Sequence, residues 1–269
     1  MIEKEFDLRE ILIKTNYQLV IHKEKEFDSF PIAYGSGFFI NYKENLYFLT
    51  ADHNIHYDDH QKNERLGTGN YVGILNNISD RENLSTMISP IGGFYFMESF
   101  DLSKTDLNFQ LFDVAISLVG RSKFEAPFLT DEDFKDENGN QIVSPKEPKF
   151  EFLDEHIAEP DINDNYYIYG KIKPELKGLF LHRQGTFKTN LKFVDKFGAY
   201  ILLNTQEIIT DIDDWAGLSG SPVLNQNGKC IGVLCSVNEN TKSIFVKPFE
   251  SIIPLLETIP LQEELIKNS

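Results

Sequence analysis

Three short stretches hold the residues of this chain best suited to chemistry. LTADHNIHYDDH, from Leu49 to His60, contains three of the six histidines, His53, His56 and His60, with Asp58 and Asp59 among them. Histidines at i, i+3 and i+7 can share a helix face, a spacing that suits zinc. A single histidine can instead carry protons, because imidazole alone among side chains ordinarily titrates near neutral pH. The choice between a metal site and a proton carrier turns on two distant stretches, FDVAISLV (112–119) and GLSGSPVL (217–224).

GLSGSPVL sets a serine in a turn bounded by glycines. A nucleophilic serine needs an exposed hydroxyl on a tight turn, and backbone N–H groups aimed at the oxyanion that develops. Gly217, Ser219 and Gly220 meet those needs, and Pro222 ends the turn. The hydroxyl also needs a base, and the base needs an orienting group. His53 follows the apolar run YFLTA, so it sits at the end of a firm strand. Asp113 precedes the apolar run VAISLV, which half-buries its carboxylate, and a histidine N–H is a suitable partner there.

The elements that must position these groups are short strands. NYQLVIHKEKEF, GSGFFI, NLYFLTA, LGTGNYVGIL, ISPIGGFYFME and NFQLFDVAISLV read as strands, with KEN as a hairpin turn between the second and third. A charged segment containing DENGN, a strong turn signal, follows at 130–147. A second run then covers NYYIYGKI, GLFLHRQGTFKTN, LKFVDKFGAYILLN, SPVLNQNGKCIGVLCSV and KSIFVKPF, with NQNG as a hairpin turn and NYYIYG as core. The predicted class is all-β, with two clusters of strands. Residues 1–15 form a helical extension that buries Phe6, Ile11 and Leu12, and 251–269 a helical tail broken near Pro254 and Pro260.

With these residues in view, the chain resembles the trypsin/chymotrypsin-like serine peptidases. LTADH resembles the Thr-Ala-x-His motif, FDVAISLV the Asp-[Ile/Val]-Ala-[Leu/Ile] strand and GLSGSPVL the Gly-x-Ser-Gly-[Gly/Ser]-Pro motif. GSGFFI resembles the Gly-Ser-Gly-Phe strand of the bacterial branch with HtrA-like and glutamyl endopeptidases. The order His, Asp, Ser is that family's. The resemblance implies two six-stranded antiparallel β-barrels, 16–129 and 148–250, joined by 130–147, with the site in the cleft between them. It implies Ser219 as nucleophile, His53 as general base and Asp113 as orienter, with the N–H groups of Gly217 and Ser219 as oxyanion hole. His56 and His60, with Asp58 and Asp59, are then left as surface residues, and neither metal nor organic cofactor is expected. Asp213, six residues before Ser219, falls where trypsin keeps the acidic residue of its S1 pocket, and Cys235, Ser236 and Val237 fall on the pocket wall. Leu218 replaces the aspartate that pairs with a newly cut N-terminus in many animal members, so that activation route is not expected.

The net charge of −16 argues against general nucleic-acid binding, and no stretch approaches a membrane span. The charged N-terminus lacks the apolar run of a signal peptide, so a cytoplasmic protein is expected. Cys230 and Cys235 lie five apart on one strand, which sets them on opposite faces as unpaired, buried thiols. Lys, Asn, Ile and Phe usage points to an AT-rich, bacterial genome. The expected partner is a protein or peptide substrate. Control by a regulatory protein, a loop in the cleft or the C-terminal segment follows from the danger of a free intracellular peptidase, and the resemblance extends to stress response and antiphage defence. The same fold can also serve as a latent, non-catalytic binding platform.

Overall fold

The computed structural model describes residues 7–23, 31–56, 70–77, 86–100, 109–120, 124, 127–177 and 180–267. Phe6 lies outside them. Helix α1 (Leu8–Thr15) is capped by Asp7, whose carboxylate accepts the Arg9 N–H at 2.8 Å. Leu12 and Ile13 are its buried apolar side chains, with Ile11 half-buried beside them.

Seven antiparallel strands follow: β1 (Tyr17–Lys23), β2 (Ala33–Tyr42), β3 (Asn45–Thr50), β4 (Asn70–Asn77), β5 (Thr86–Pro90), β6 (Phe94–Phe100) and β7 (Phe109–Val119). Their order across the sheet is β5-β4-β1-β2-β3-β7-β6. The KEN turn between β2 and β3 carries positive φ at Lys43 and Glu44, the geometry of a tight two-residue hairpin. Side chains alternate along β2 and β3, and both faces are covered. Phe38, Ile40, Tyr47 and Leu49 face one apolar cluster, whereas Phe39 and Phe48 face another. ISPIGGFYFME is two strands rather than one, because Pro90 and the Gly92–Gly93 pair interrupt it. The pieces fall at opposite ends of the sheet, which curls but is not a closed barrel among the described residues.

The connector contains a small hairpin, β8 (Phe134–Lys135) and β9 (Gln141–Val143), turning at Gly139. Strand β10 (Phe152–Leu153) then returns to the first sheet and pairs in parallel with Ile40 and Asn41 of β2. The second unit comprises β11 (Asn165–Lys177), β12 (Phe180–Phe197), β13 (Tyr200–Asn204), β14 (Pro222–Asn225), β15 (Cys230–Val237) and β16 (Ser243–Pro248). It closes in the order β11-β12-β13-β16-β15-β14, with β14 pairing back to β11. Tyr166, Ile168, Leu203, Val223 and Ile231 fill its interior, and Tyr169 packs outside it against the first sheet. Cys230 and Cys235 are free and buried, but both join the cluster between the units. Register shifts on both sides of β15 break the strict alternation that would have separated them.

The tail is one helix, α3 (Phe249–Lys267), which runs through both prolines. An internal proline costs about 3 kcal/mol and leaves the carbonyl four residues earlier without its donor. For Pro260 that carbonyl is Leu256 O, and the Tyr47 hydroxyl donates to it at 2.7 Å. Burial of Phe249, Ile252, Leu256 and Ile259 offsets the rest.

Lys247 of β16 is fully buried, and its ammonium has no hydrogen-bond partner among the described residues. It lies 3.2 Å from the centroid of the Phe112 ring and 4.9 Å from that of Tyr200. Burial pushes it down to about 8. Between that pH and the ordinary lysine value the unfolded chain binds the proton and the folded one does not, so this group's destabilisation disappears as pH rises. Lys247→Met is therefore expected to stabilise the protein at pH 7 by on the order of 2 kcal/mol, with the gain vanishing toward pH 10.5. Urea midpoints of both proteins at the two pH values check this.

Candidate active site

Strand β3 ends at Thr50, and the four-residue helix α2 (Asp52–Ile55) begins immediately after it. This turn aims His53 at β7. Its Nδ1 lies 2.8 Å and 3.0 Å from the two carboxylate oxygens of Asp113, and its backbone N–H donates to the same carboxylate at 3.0 Å. A carboxylate can only accept, so Nδ1 carries a hydrogen in this contact, and the neutral imidazole in that arrangement has its lone pair on Nε2. The side chains are 31% and 13% exposed, so the imidazole reaches solvent while the carboxylate is sheltered.

Ser219 belongs to the second unit, yet its turn is built onto the first. Ser36 of β2 donates its backbone N–H to Ser219 O at 2.9 Å and its hydroxyl to Gly217 O at 2.7 Å. The Asn54 amide, on the residue after His53, donates to Ser219 O at 2.8 Å and to Thr50 Oγ1 at 3.0 Å. Thr50 Oγ1 in turn donates to Ser36 O at 2.7 Å. Gly217 O and Ser219 O thus both point back into the first sheet. Within the turn, the N–H groups of Ala216, Leu218, Gly220 and Ser221 reach backbone carbonyls. Those of Gly217 and Ser219 have no acceptor among the described residues, and two such donors in one turn are what a developing oxyanion requires.

Glycine is needed here for two reasons. Gly220 has φ +88°, and a Cβ would fall 2.0 Å from Ser36 O and 2.6 Å from Thr50 Oγ1. Gly217 has φ +101°, and a Cβ would meet the guanidinium of Arg183 at 2.5 Å. Arg183 is itself buried, with its plane over Tyr34 and one nitrogen donating to Lys171 O at 2.5 Å. Leu218 is fully buried in the barrel interior.

The remaining candidates are placed differently. His56 is not a surface residue. It closes α2, turns inward, and sets Nδ1 3.0 Å from the fully buried Asp52, with its ring edge on Phe96. His60, Asp58 and Asp59 lie outside the described residues. No group of three potential metal ligands occurs among the described residues. Asp213 is exposed on a 3-10 turn, Ile212–Asp214, and its N–H is capped by Asp211; the neighbouring Asp214 pairs with Lys173. Cys235 is buried beside Asp113, Ser236 is exposed and Val237 half-buried. Asn54, Ser36 and Thr50 were not singled out from the sequence. Single polar residues carry no pattern that marks such a contact, and the turn that Asn54 holds lies 165 positions away.

No family model and no curated protein matches the chain. Among solved structures it is similar to the serine endoprotease from Yersinia pestis, at 13% identity and a TM-score of 0.46, over 95% of this chain and 67% of that one. It is also similar to the MamO protease domain from Magnetospirillum magneticum in its apo form, at 10% identity and a TM-score of 0.43, over 91% and 96% of the two chains.

Two outcomes follow from this geometry. Gly220→Ala is expected to destabilise the protein by about 3 kcal/mol or more, measured by chemical denaturation, because neither the φ nor the space admits a Cβ. Burial pushes the Cys230 thiol up to about 12 and Cys235 well above its usual range. Neither should react with a thiol reagent at pH 8 in the folded protein, and both should react in denaturant.

Proposed function

We propose that this chain is a serine endopeptidase that cleaves protein or peptide substrates through an acyl-enzyme on Ser219. The observation that carries the reading is the His53–Asp113 pair, with Nδ1 2.8 Å from the carboxylate, joined through Asn54 and Ser36 to a turn in which the N–H groups of Gly217 and Ser219 have no acceptor among the described residues.

In this reading His53 Nε2 takes the proton of Ser219 as Oγ adds to the substrate carbonyl. The carbonyl oxygen, now negative, is received by the N–H groups of Gly217 and Ser219. Asp113 keeps the imidazole in the required tautomer and stabilises the imidazolium. Collapse breaks the C–N bond, and His53 returns the proton to the leaving amine. A water molecule, deprotonated by His53, then adds to the ester, and the acid is released as the proton returns to Ser219. Besides the substrate and one water molecule, the steps use side chains and backbone groups of this chain.

The test is labelling of the purified protein by a fluorophosphonate probe. Wild type is expected to label and Ser219→Ala not to label. Asp113→Asn is expected to slow labelling by on the order of 10³-fold or more, because the imidazole then adopts the wrong tautomer. Equal labelling of wild type and Ser219→Ala would remove Ser219 as nucleophile. A wild type that does not label would favour the binding-platform reading of the same fold.

A further inference from the structure

Asp113 occupies a break in its own sheet. On one side, β3 pairs with β7 no further than Thr50 opposite Ala115. On the other, β6 pairs Phe96 with Ala115 and then Glu98 with Leu111, with a register shift between. Among the described residues, 112–114 are thus out of register with both neighbouring strands, and a buried N–H left unpaired there is costly. A carboxylate that must orient an imidazole needs its own backbone fixed, so the break falls where rigidity matters most.

The second unit fills the gap. The Asp113 N–H donates to the Tyr200 hydroxyl at 2.9 Å, and the Asp113 carbonyl accepts a contact from the Cys235 thiol at 3.1 Å. An S–H donor is weak, so the hydroxyl is the stronger of the two ties. Tyr200 opens β13 directly after the Gly198 turn, and its ring meets that of Phe112 edge-on, with centroids 6.4 Å apart. The buried Lys247 ammonium lies against both rings, 3.2 Å from the Phe112 centroid and 4.9 Å from that of Tyr200. A buried cation with no hydrogen-bond partner is otherwise unexplained, and here it wedges the two rings in place. The charged or titratable groups facing Tyr200 include Lys247, Cys235, Asp113 and Asp52, and burial keeps the hydroxyl protonated well beyond its usual range.

We infer that Tyr200 is a positioning residue for the catalytic carboxylate: reaching from the second unit, it replaces the missing strand partner of Asp113 and so holds Asp113 against His53. The inference rests on the peptidase reading only for its kinetic consequence, since the contact itself is independent of activity.

The test compares wild type with Tyr200→Phe, which keeps the ring and removes the hydroxyl. The low-field proton NMR signal of His53 Nδ1–H is the first readout, with Asp113→Asn as the reference in which that hydrogen bond is disrupted. Tyr200→Phe is expected to broaden the signal and to lower kcat by about tenfold with KM unchanged. An unchanged signal together with unchanged kcat overturns the inference. Amide hydrogen exchange of Asp113 in wild type is the second readout and needs no variant to fold. Protection is expected, and exchange at the rate of an open amide overturns the assignment. If wild type shows the signal and the protection but no fluorophosphonate labelling, the peptidase reading fails while the role of Tyr200 in holding Asp113 stands.

Discussion

The arrangement of this molecule depends on an exchange of hydrogen bonds between its two units around the His53–Asp113 pair and the turn that carries Ser219. The carbonyl of Ser219, from the second unit, is held by Ser36 and Asn54 of the first. The backbone of Asp113, from the first, is held by Tyr200 and Cys235 of the second. Neither unit presents a complete site alone. These bonds are buried or part-buried, so losing one partner while the units stay packed strands a polar group at about 1–3 kcal/mol. Docking the units and assembling the site are thus one event.

Helix α1 extends the same logic. The Asn16 side chain, just past its end, donates to Tyr169 O at 2.9 Å and to Ser221 Oγ at 3.0 Å. Lys149, arriving from the connector, caps the Asn16 carbonyl at 2.5 Å, and Lys14 bridges Glu10 and Glu147. The C-terminal end of the helix is therefore tied both to the turn that carries Ser219 and to the segment that links the units. Lys171 adds a further tie, pairing with both Asp131 and Glu132 at 2.7 Å while its carbonyl holds Arg183 under Gly217. Such buried charges cost desolvation and add little net stability, so their contribution is better read as geometric register between the units.

Much of this was legible in order. Alternating apolar runs marked the strands. The KEN turn was predicted, and positive φ at Lys43 and Glu44 agrees with it. Three errors share a physical origin. His56 looked exposed because its partner, Asp52, is an ordinary acidic residue in the sequence, and only the inward turn after Ile55 buries both. Pro260 looked like a break because its cost is local, whereas the Tyr47 hydroxyl that compensates it comes from 209 positions away. Cys230 and Cys235 looked opposed because strict alternation ignores bulges, and those are set by the pairing of β15 with both neighbours.

The sequence by itself determined the types and order of the candidate groups: a histidine after an apolar run, an aspartate before another, and a serine between glycines. These are local properties, because an apolar run or a glycine-bounded serine is read from its own residues. Tertiary structure alone decided that His53 and Asp113 meet at 2.8 Å and that the Tyr200 hydroxyl accepts the Asp113 N–H where the strand register shifts. Those contacts join residues 60 and 87 positions apart, across strand pairings whose register no single segment encodes.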